Sequence, residues 1–473
     1  MKSLVFVWII FGLSLLSHGS LKSAKSKAIE ISEFDLPIYQ QTLQLLENEK
    51  LAVHWLETTA QPVSSKCILS PVLEDSIEKD LLRPPRLSNL SIKNRLKLSV
   101  VGEKILNRFW LLRLRWQNDF RKLLSRDPNF SDLCAKRIHA YFMYLRYSEE
   151  SLLLFLVELK ILSKNRGSLF SSGAPYTLME PGTTFQFQPG DVILSYSRDV
   201  TSPYASLAVL PARSLSHISL VAKRDGEIVV IDFYPPGAIE THLARWLNFD
   251  QTRLAVYRPV DRQLAERAAE IASNRISDYF KKNGKPLPFK FSVNSGSSSL
   301  LCSGFVASVF EEASANKILV PKFKSFIHAL ENSDLLKRLG VENPLVFHPS
   351  DIEIDPRFNL VAESRQYAAL SKAHRQFAIY NLLWNRIAQR TYVYQYSWKT
   401  WVKTYYAKTL DWCCNSGGSP NANDVPAEAV QSIVEITQQA ELIDSKLTEK
   451  ILREPQLPKY PSLKEYQQIL NSI

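Results

Sequence analysis

Residues 216–237, SHISLVAKRDGEIVVIDFYPPG, decide how this chain folds. Two runs of alternating polar and apolar residues flank Asp225 and Gly226, and Asp-Gly is among the strongest short signals for a two-residue hairpin turn. With that turn, paired positions sum to 451, so Val221 faces Val230, Ser219 faces Asp232 and His217 faces Tyr234. Side chains alternate between the faces of a strand, which puts His217, Ser219, Asp232 and Tyr234 on one side. Asp232 is then the diagonal neighbour of His217, at the ~7–8 Å over which longer side chains still meet. A carboxylate there can hold an imidazole and stabilise its charged form. A three-residue loop would reverse this facing.

Working outward, further β-type runs surround the hairpin, DVILSY before it and TRLAVYRP after it, and a helix is predicted from about Arg262 to Lys282. NSGSSSLLCSGFVASVFEEA (294–313) then leads from a polar loop into Cys302, after which Phe305, Val306, Val309 and Ala313 recur at helical spacing. Cys302 therefore sits at a helix start, where backbone N–H groups and the helix dipole favour a thiolate and offer donors to an oxyanion. A cysteine or a histidine taken alone is more often a buried packing residue. His242, in ETHLARWL, is read as a surface or packing residue on a helix. His348, ahead of a Pro and a capping Ser350, is read as structural, and Asp191 as shaping the start of its strand.

The order of these parts resembles the circularly permuted NlpC-like cysteine hydrolases, the YiiX/YebB-like group within the papain-like fold. Gly190 and Asp191 in PGDVILSY, His217 in SHISLV, Asp232 in VVIDFYPPG, and Cys302 with Ser303 in LCSGFVASVF match that family in order and approximate spacing. FHPSDIEIDPRF is similar to the proline and aspartate segment that often closes such domains. Gly304 stands where glutamate is common after the Cys-Ser pair, and Asp232 where glutamate is usual. The resemblance implies an α+β fold, a papain-like (permuted NlpC-type) core with an antiparallel sheet, over residues 184–360. It also implies a mechanism: Cys302 as nucleophile, His217 as base and Asp232 as the residue that orients it, acting through an acyl-enzyme.

Helical regions flank this core. From about Glu33 to Lys164 the chain is rich in Leu, Lys, Arg and Glu at helical spacing, and a Gly, Ser and Pro-rich connection (165–191) follows. Helical texture returns over 361–473. The expected organisation is a signal peptide at 1–19, a helical domain at 33–165, the hydrolase domain at 184–360 and a C-terminal helical region at 361–473. With 473 residues, 45% of them hydrophobic and 22% charged, the chain is long enough for two or three such units.

MKSLVFVWIIFGLSLLSHGS combines a basic start, an apolar stretch from Leu4 to Leu16 and small residues at Ser17 and Gly19. That is the pattern of a secretory signal peptide, and the stretch is shorter than the ~20 residues that span a bilayer. Periplasmic or secreted localisation is therefore expected. In an oxidising compartment the five cysteines (67, 134, 302, 413, 414) leave at least one thiol free. Joined to each other, Cys413 and Cys414 would close a strained ring, so bridges to Cys67 or Cys134 are expected, in either connectivity.

The net charge of +11 suits work beside anionic cell-wall polymers or lipid head groups. No zinc spacing, Walker loop, dinucleotide fingerprint or nucleic-acid motif is present, so no cofactor, metal or nucleic-acid partner is expected. The leading expectation is an exported hydrolase that cleaves a cell-wall peptide amide. The alternatives are a lipid acyl hydrolase or acyltransferase, since the permuted branch resembles lecithin retinol acyltransferase as well, and a catalytically silent scaffold whose helices engage an envelope partner.

Overall fold

The computed structural model describes residues 132–158, 176–179, 185–197, 201–209, 212–234, 237–248, 251–288, 302–327, 345–389, 427–454 and 463–471, with scattered positions elsewhere, including helical ones between 106 and 121. The signal peptide, Cys67, Cys413 and Cys414 lie outside the described residues.

Nine strands are described: β1 (Tyr176–Met179), β2 (Val192–Ser197), β3 (His217–Arg224), β4 (Glu227–Tyr234), β5 (Gly237–His242), β6 (Gln251–Pro259), β7 (Ser325–Phe326), β8 (Leu345–Val346) and β9 (Phe358–Arg365). Seven form one sheet in the order β1-β9-β6-β2-β3-β4-β5, antiparallel throughout, and β7 pairs with β8. The helices are α1 (Asp132–Glu158), α2 (Thr201–Leu207), α3 (Leu243–Trp246), α4 (Arg262–Asn283), α5 (Cys302–Ala313), α6 (Tyr367–Ala388), α7 (Ala427–Arg453) and α8 (Leu463–Leu470), with a 3₁₀ turn at Pro349–Ile354. This is the α+β, papain-like architecture.

Asp225 and Gly226 both have positive φ (50° and 88°), as the mirror-image turn of a two-residue hairpin requires. The register runs from Leu220 opposite Ile231 to Arg224 opposite Glu227, so every pair sums to 451 as the turn predicts. Besides the short pair β7 and β8, three strands of the main sheet sit where the sequence pattern gave no strand. β1 lies inside the expected linker, β9 starts at the last residue of the expected closing segment and runs past the expected domain end at 360, and β5 lies between the hairpin and α3. All three are short on alternation in sequence; they are strands because a neighbour supplies their hydrogen bonds. His242 closes β5 instead of lying on a helix, and its exposed ring faces Glu227 at 3.0 Å.

Two chemical devices set α4 against the sheet. Asp261 caps its first turn by accepting from the Leu264 amide at 2.9 Å, and Gly284, in the left-handed conformation, ends it. Gly190 has φ +84°, and a Cβ there would come within 2.4 Å of the Ala265 carbonyl oxygen. The glycine thus permits both the turn into β2 and the approach of α4. Beside it, the buried carboxylate of Asp191 accepts from the Gln188 amide at 2.9 Å and from Arg258 at 2.9 and 2.8 Å, which fixes the start of β2.

One face of the sheet buries Leu194, Ile218, Leu220 and Phe233 against α4, α5 and α1, and the other buries Ile193, Val221, Val230, Leu254 and Trp246. The contact with α1 is more than apolar. Arg253 of β6 forms a two-point pair with Glu150 of α1 at 2.6 and 2.7 Å, and His374 of α6 shares Glu150 at 2.7 Å. Arg146 reaches Glu353 at 2.6 Å and Glu363 at 2.9 Å, while Arg113 joins Glu149 to Glu363. All of these side chains are buried. Burial pushes the Glu150 carboxyl upward, but Arg253 and His374 outweigh it and hold it well below the usual carboxylate range.

Candidate active site

His217 opens β3 and Asp232 lies near the end of β4. The imidazole Nε2 is 2.9 Å from Asp232 Oδ1, with 23% of the His217 side chain exposed and 4% of that of Asp232. Ser219, on the same face two residues along, donates its hydroxyl to the same carboxylate oxygen. The hairpin register brings together His217, Ser219 and Asp232, three of the four groups that alternation places on one side; the side chain of Tyr234 lies outside the described residues.

Cys302 is the first residue of α5 and a half-buried free thiol. The helix is aimed by its buried side: Phe305 stacks on Phe233 of β4 with ring centroids 4.6 Å apart, Val306, Val309 and Phe310 enter the core, and Arg275 of α4 donates to Ser308 Oγ at 2.6 Å. With the helix so seated, the thiol meets the imidazole, and Cys302 and His217 share a side-chain hydrogen bond. Burial lowers the basicity of His217, yet the adjoining Cys302 sulfur and the bond to Asp232 outweigh it, so its pKa is raised well above the ordinary histidine value. A ring so placed is built to stay protonated beside a thiolate.

Trp246 is the member of the site that the sequence pattern did not single out. Its side chain is fully buried on α3, and its indole N–H donates to Asp232 Oδ2, the oxygen that His217 does not use. The available signal was chemical: a buried indole N–H needs an acceptor and a buried carboxylate needs donors. The segment that leads into His217 is pinned as well. Arg146 donates to Ser214 Oγ at 2.5 Å, Ser350 Oγ to the Leu215 carbonyl at 2.8 Å, and the Ser216 amide to the Ser195 carbonyl at 2.9 Å.

His348 stands apart from the thiol. Its Nδ1 accepts from the Ser350 amide at 3.2 Å, so His348 is itself the cap of the 3₁₀ turn, in place of the expected Ser350. Its Nε2 lies 3.1 Å from the Ala205 carbonyl, and burial holds its pKa down at about 3. Among the described residues, no group of three or more His, Cys, Asp and Glu side chains is arranged to hold a metal ion.

A helix that presents a thiol at its first residue, packed on an antiparallel sheet that carries an imidazole and its carboxylate, is the arrangement of a papain-like cysteine hydrolase, here with histidine before cysteine along the chain. Residues 186–352 match the family described as permuted papain-like amidase enzyme, YaeF/YiiX, C92 family. That match covers roughly a third of the chain and includes His217, Asp232, Trp246 and Cys302. The chain is thus a cysteine hydrolase by class. A solved structure described as metalloprotein yiiX from Escherichia coli O157:H7 is 22% identical, with 37% of this chain and 97% of that one covered and a TM-score of 0.28. No curated protein matches the chain significantly.

Asp232→Asn is expected to fold and to lower turnover by about two to four orders of magnitude, because the orienting charge is lost while the thiol and the helix terminus stay. Steady-state kinetics on a thioester or amide reporter checks this, and turnover equal to wild type would remove Asp232 from the site.

Proposed function

We propose that this protein is an exported amidase in which Cys302 attacks a carbonyl carbon of a cell-wall peptide amide. His217 holds the proton taken from the thiol and delivers it to the leaving amine as the tetrahedral intermediate collapses to a thioester. It then takes a proton from water, and the resulting attack on the thioester releases the acid and restores the thiol. Asp232 keeps the ring aimed through both steps, and the backbone N–H of Cys302 serves as an oxyanion donor. The observation that carries this reading is the chain of contacts from thiol to imidazole to carboxylate, with Cys302 free and at a helix start. Export rests on the pattern of residues 1–19, and the choice of a cell-wall substrate on that pattern together with the net charge of +11.

The decisive experiment incubates wild type and Cys302→Ala with purified cell-wall fragments and, separately, with phospholipid vesicles, followed by mass analysis. New peptide termini that form with wild type alone support the amidase reading. Fatty acid or lysolipid release with wild type alone would replace it with lipid acyl hydrolysis. Products that also form with Cys302→Ala, or none with wild type on either substrate, would defeat the proposal.

A further inference from the structure

We propose that Trp246 is a positioning residue for the catalytic base, holding the second oxygen of Asp232 so that the first stays directed at His217. The inference rests on the reading of Cys302 and His217 as nucleophile and base. Around Asp232 the donors are divided: Ser219 and His217 both meet Oδ1, and among the described residues Trp246 is the donor to Oδ2. A carboxylate held at one oxygen can turn about its Cβ–Cγ bond; held at both, it cannot turn without losing a bond. The indole is itself immobile, since Trp246 is fully buried among Ile193, Val221, Val230, Leu254 and Val256. A purely apolar filler in that cluster, such as a phenylalanine, would bring no donor to satisfy. Trp246 spends its N–H on the carboxylate that orients the base.

The N–H has an electrostatic effect as well as a geometric one. A donor to Oδ2 draws negative charge away from Oδ1 and so moderates the pull of Asp232 on the imidazolium. Among the described residues, Asp232 from β4 and Cys302 from α5 are titratable groups that face His217, and its neighbour across β2 is the neutral Ser195. Loss of the N–H therefore reaches His217 through Asp232.

Trp246→Phe keeps most of the ring volume and removes only the donor. The test follows the rate of Cys302 alkylation by iodoacetamide against pH, in wild type, Trp246→Phe, Asp232→Asn and the double variant, with His217→Ala as control. Trp246→Phe is expected to move the alkaline transition, where the imidazolium is lost, upward by about half a pH unit or more. In the Asp232→Asn background the same substitution should move it by nothing, because the carboxylate through which it acts is gone. No upward shift with Asp232 present, or an equal shift in both backgrounds, would make Trp246 a packing residue and overturn the proposal. If wild type lacks a transition that His217→Ala removes, the nucleophile and base reading falls first and takes this inference with it.

A second measurement leaves Trp246 intact, in case its replacement unfolds the chain. The indole N–H signal of Trp246 in a ¹H–¹⁵N spectrum should lie far downfield in wild type, move upfield in Asp232→Asn and follow the titration of His217. An indole signal indifferent to both would overturn the proposal.

Discussion

His217→Ala is expected to lower the rate at which iodoacetamide alkylates Cys302 at pH 6 by about one to two orders of magnitude in a protein that stays folded. Two features favour a charged sulfur at that position, the imidazolium in hydrogen-bond contact and the amino end of α5. The substitution removes the first and leaves the second. The raised pKa of His217 means that its cation persists above pH 6.5, so the pair is present in wild type across neutral pH and is lost as pH rises through the elevated value. The stability that the charged ring contributes has the same sign: complete below about 6.5, lost as pH rises through the folded-state value. Wild type should therefore be alkylated readily at pH 6, and the variant much more slowly. Circular dichroism must accompany the rates, because an unfolded variant would show the same loss. An unchanged rate profile in folded His217→Ala would mean that ring and thiol do not communicate, and His217 would then be only the first residue of β3.

The pairing of His217 with Asp232 was legible because it depends on local rules alone. A two-residue turn sets the register, and the period of two sets the face, so SHISLVAKRDGEIVVIDFYPPG contains its own geometry. Cys302 could be assigned to a helix start for the same reason, since a polar loop and a 3.6-residue repeat meet there. Their meeting in space came from the resemblance in order, because nothing local ties residue 217 to residue 302. Trp246 escaped notice since its bond to Asp232 requires β5 to pair with β4 and α3 to fold back, and β5 has little alternation of its own. β1 and β9 were hidden likewise: β1 is a strand by virtue of β9, and β9 by virtue of β6 and β1 on its two sides. The helical periodicity of AKRIHAYFMYLRYSEESLLLFLVELKIL identifies an apolar stripe but is silent on which charges are buried. Arg146 and Glu150 are fully buried with counter-charges on the sheet, Glu363 and Arg253, more than a hundred residues further on.

Those buried charges make the severest expected failure that of the hydrolase segment on its own: residues 184–360, expressed without the rest of the chain, are expected not to form a stable fold. The segment would retain Arg253 and lose Glu150, which in the whole chain pairs with it at two points. It would retain Glu353 and lose Arg146, and the end of β9 that carries Glu363 and Arg365 would be gone together with the edge strand β1 that pairs there. Part of the apolar core would be exposed as well, since Leu145, Leu153 and Leu156 of α1 pack in one cluster with Leu194, Leu220 and Phe305. The point substitution that isolates the electrostatic part is Arg253→Met in the full chain. It leaves Glu150 buried without its two-point partner, with His374 and Arg365 still beside it, and breaking a buried pair from one side costs about 3–5 kcal/mol. The double variant Arg253→Met with Glu150→Leu removes both charges and should recover much of that loss, because two matched apolar side chains carry no desolvation penalty. Acid adds a check on sign. With its folded-state pKa held below the ordinary value, Glu150 contributes stability that is present above about 4.5 and lost as pH falls through the depressed value, and the double variant should lack that portion of the pH dependence. Thermal or urea unfolding of the three full-length proteins measures each difference. A soluble 184–360 fragment with native-like unfolding would show that the sheet needs no helix α1, and the charges between them would then be no more than an accommodation at a seam between separable units.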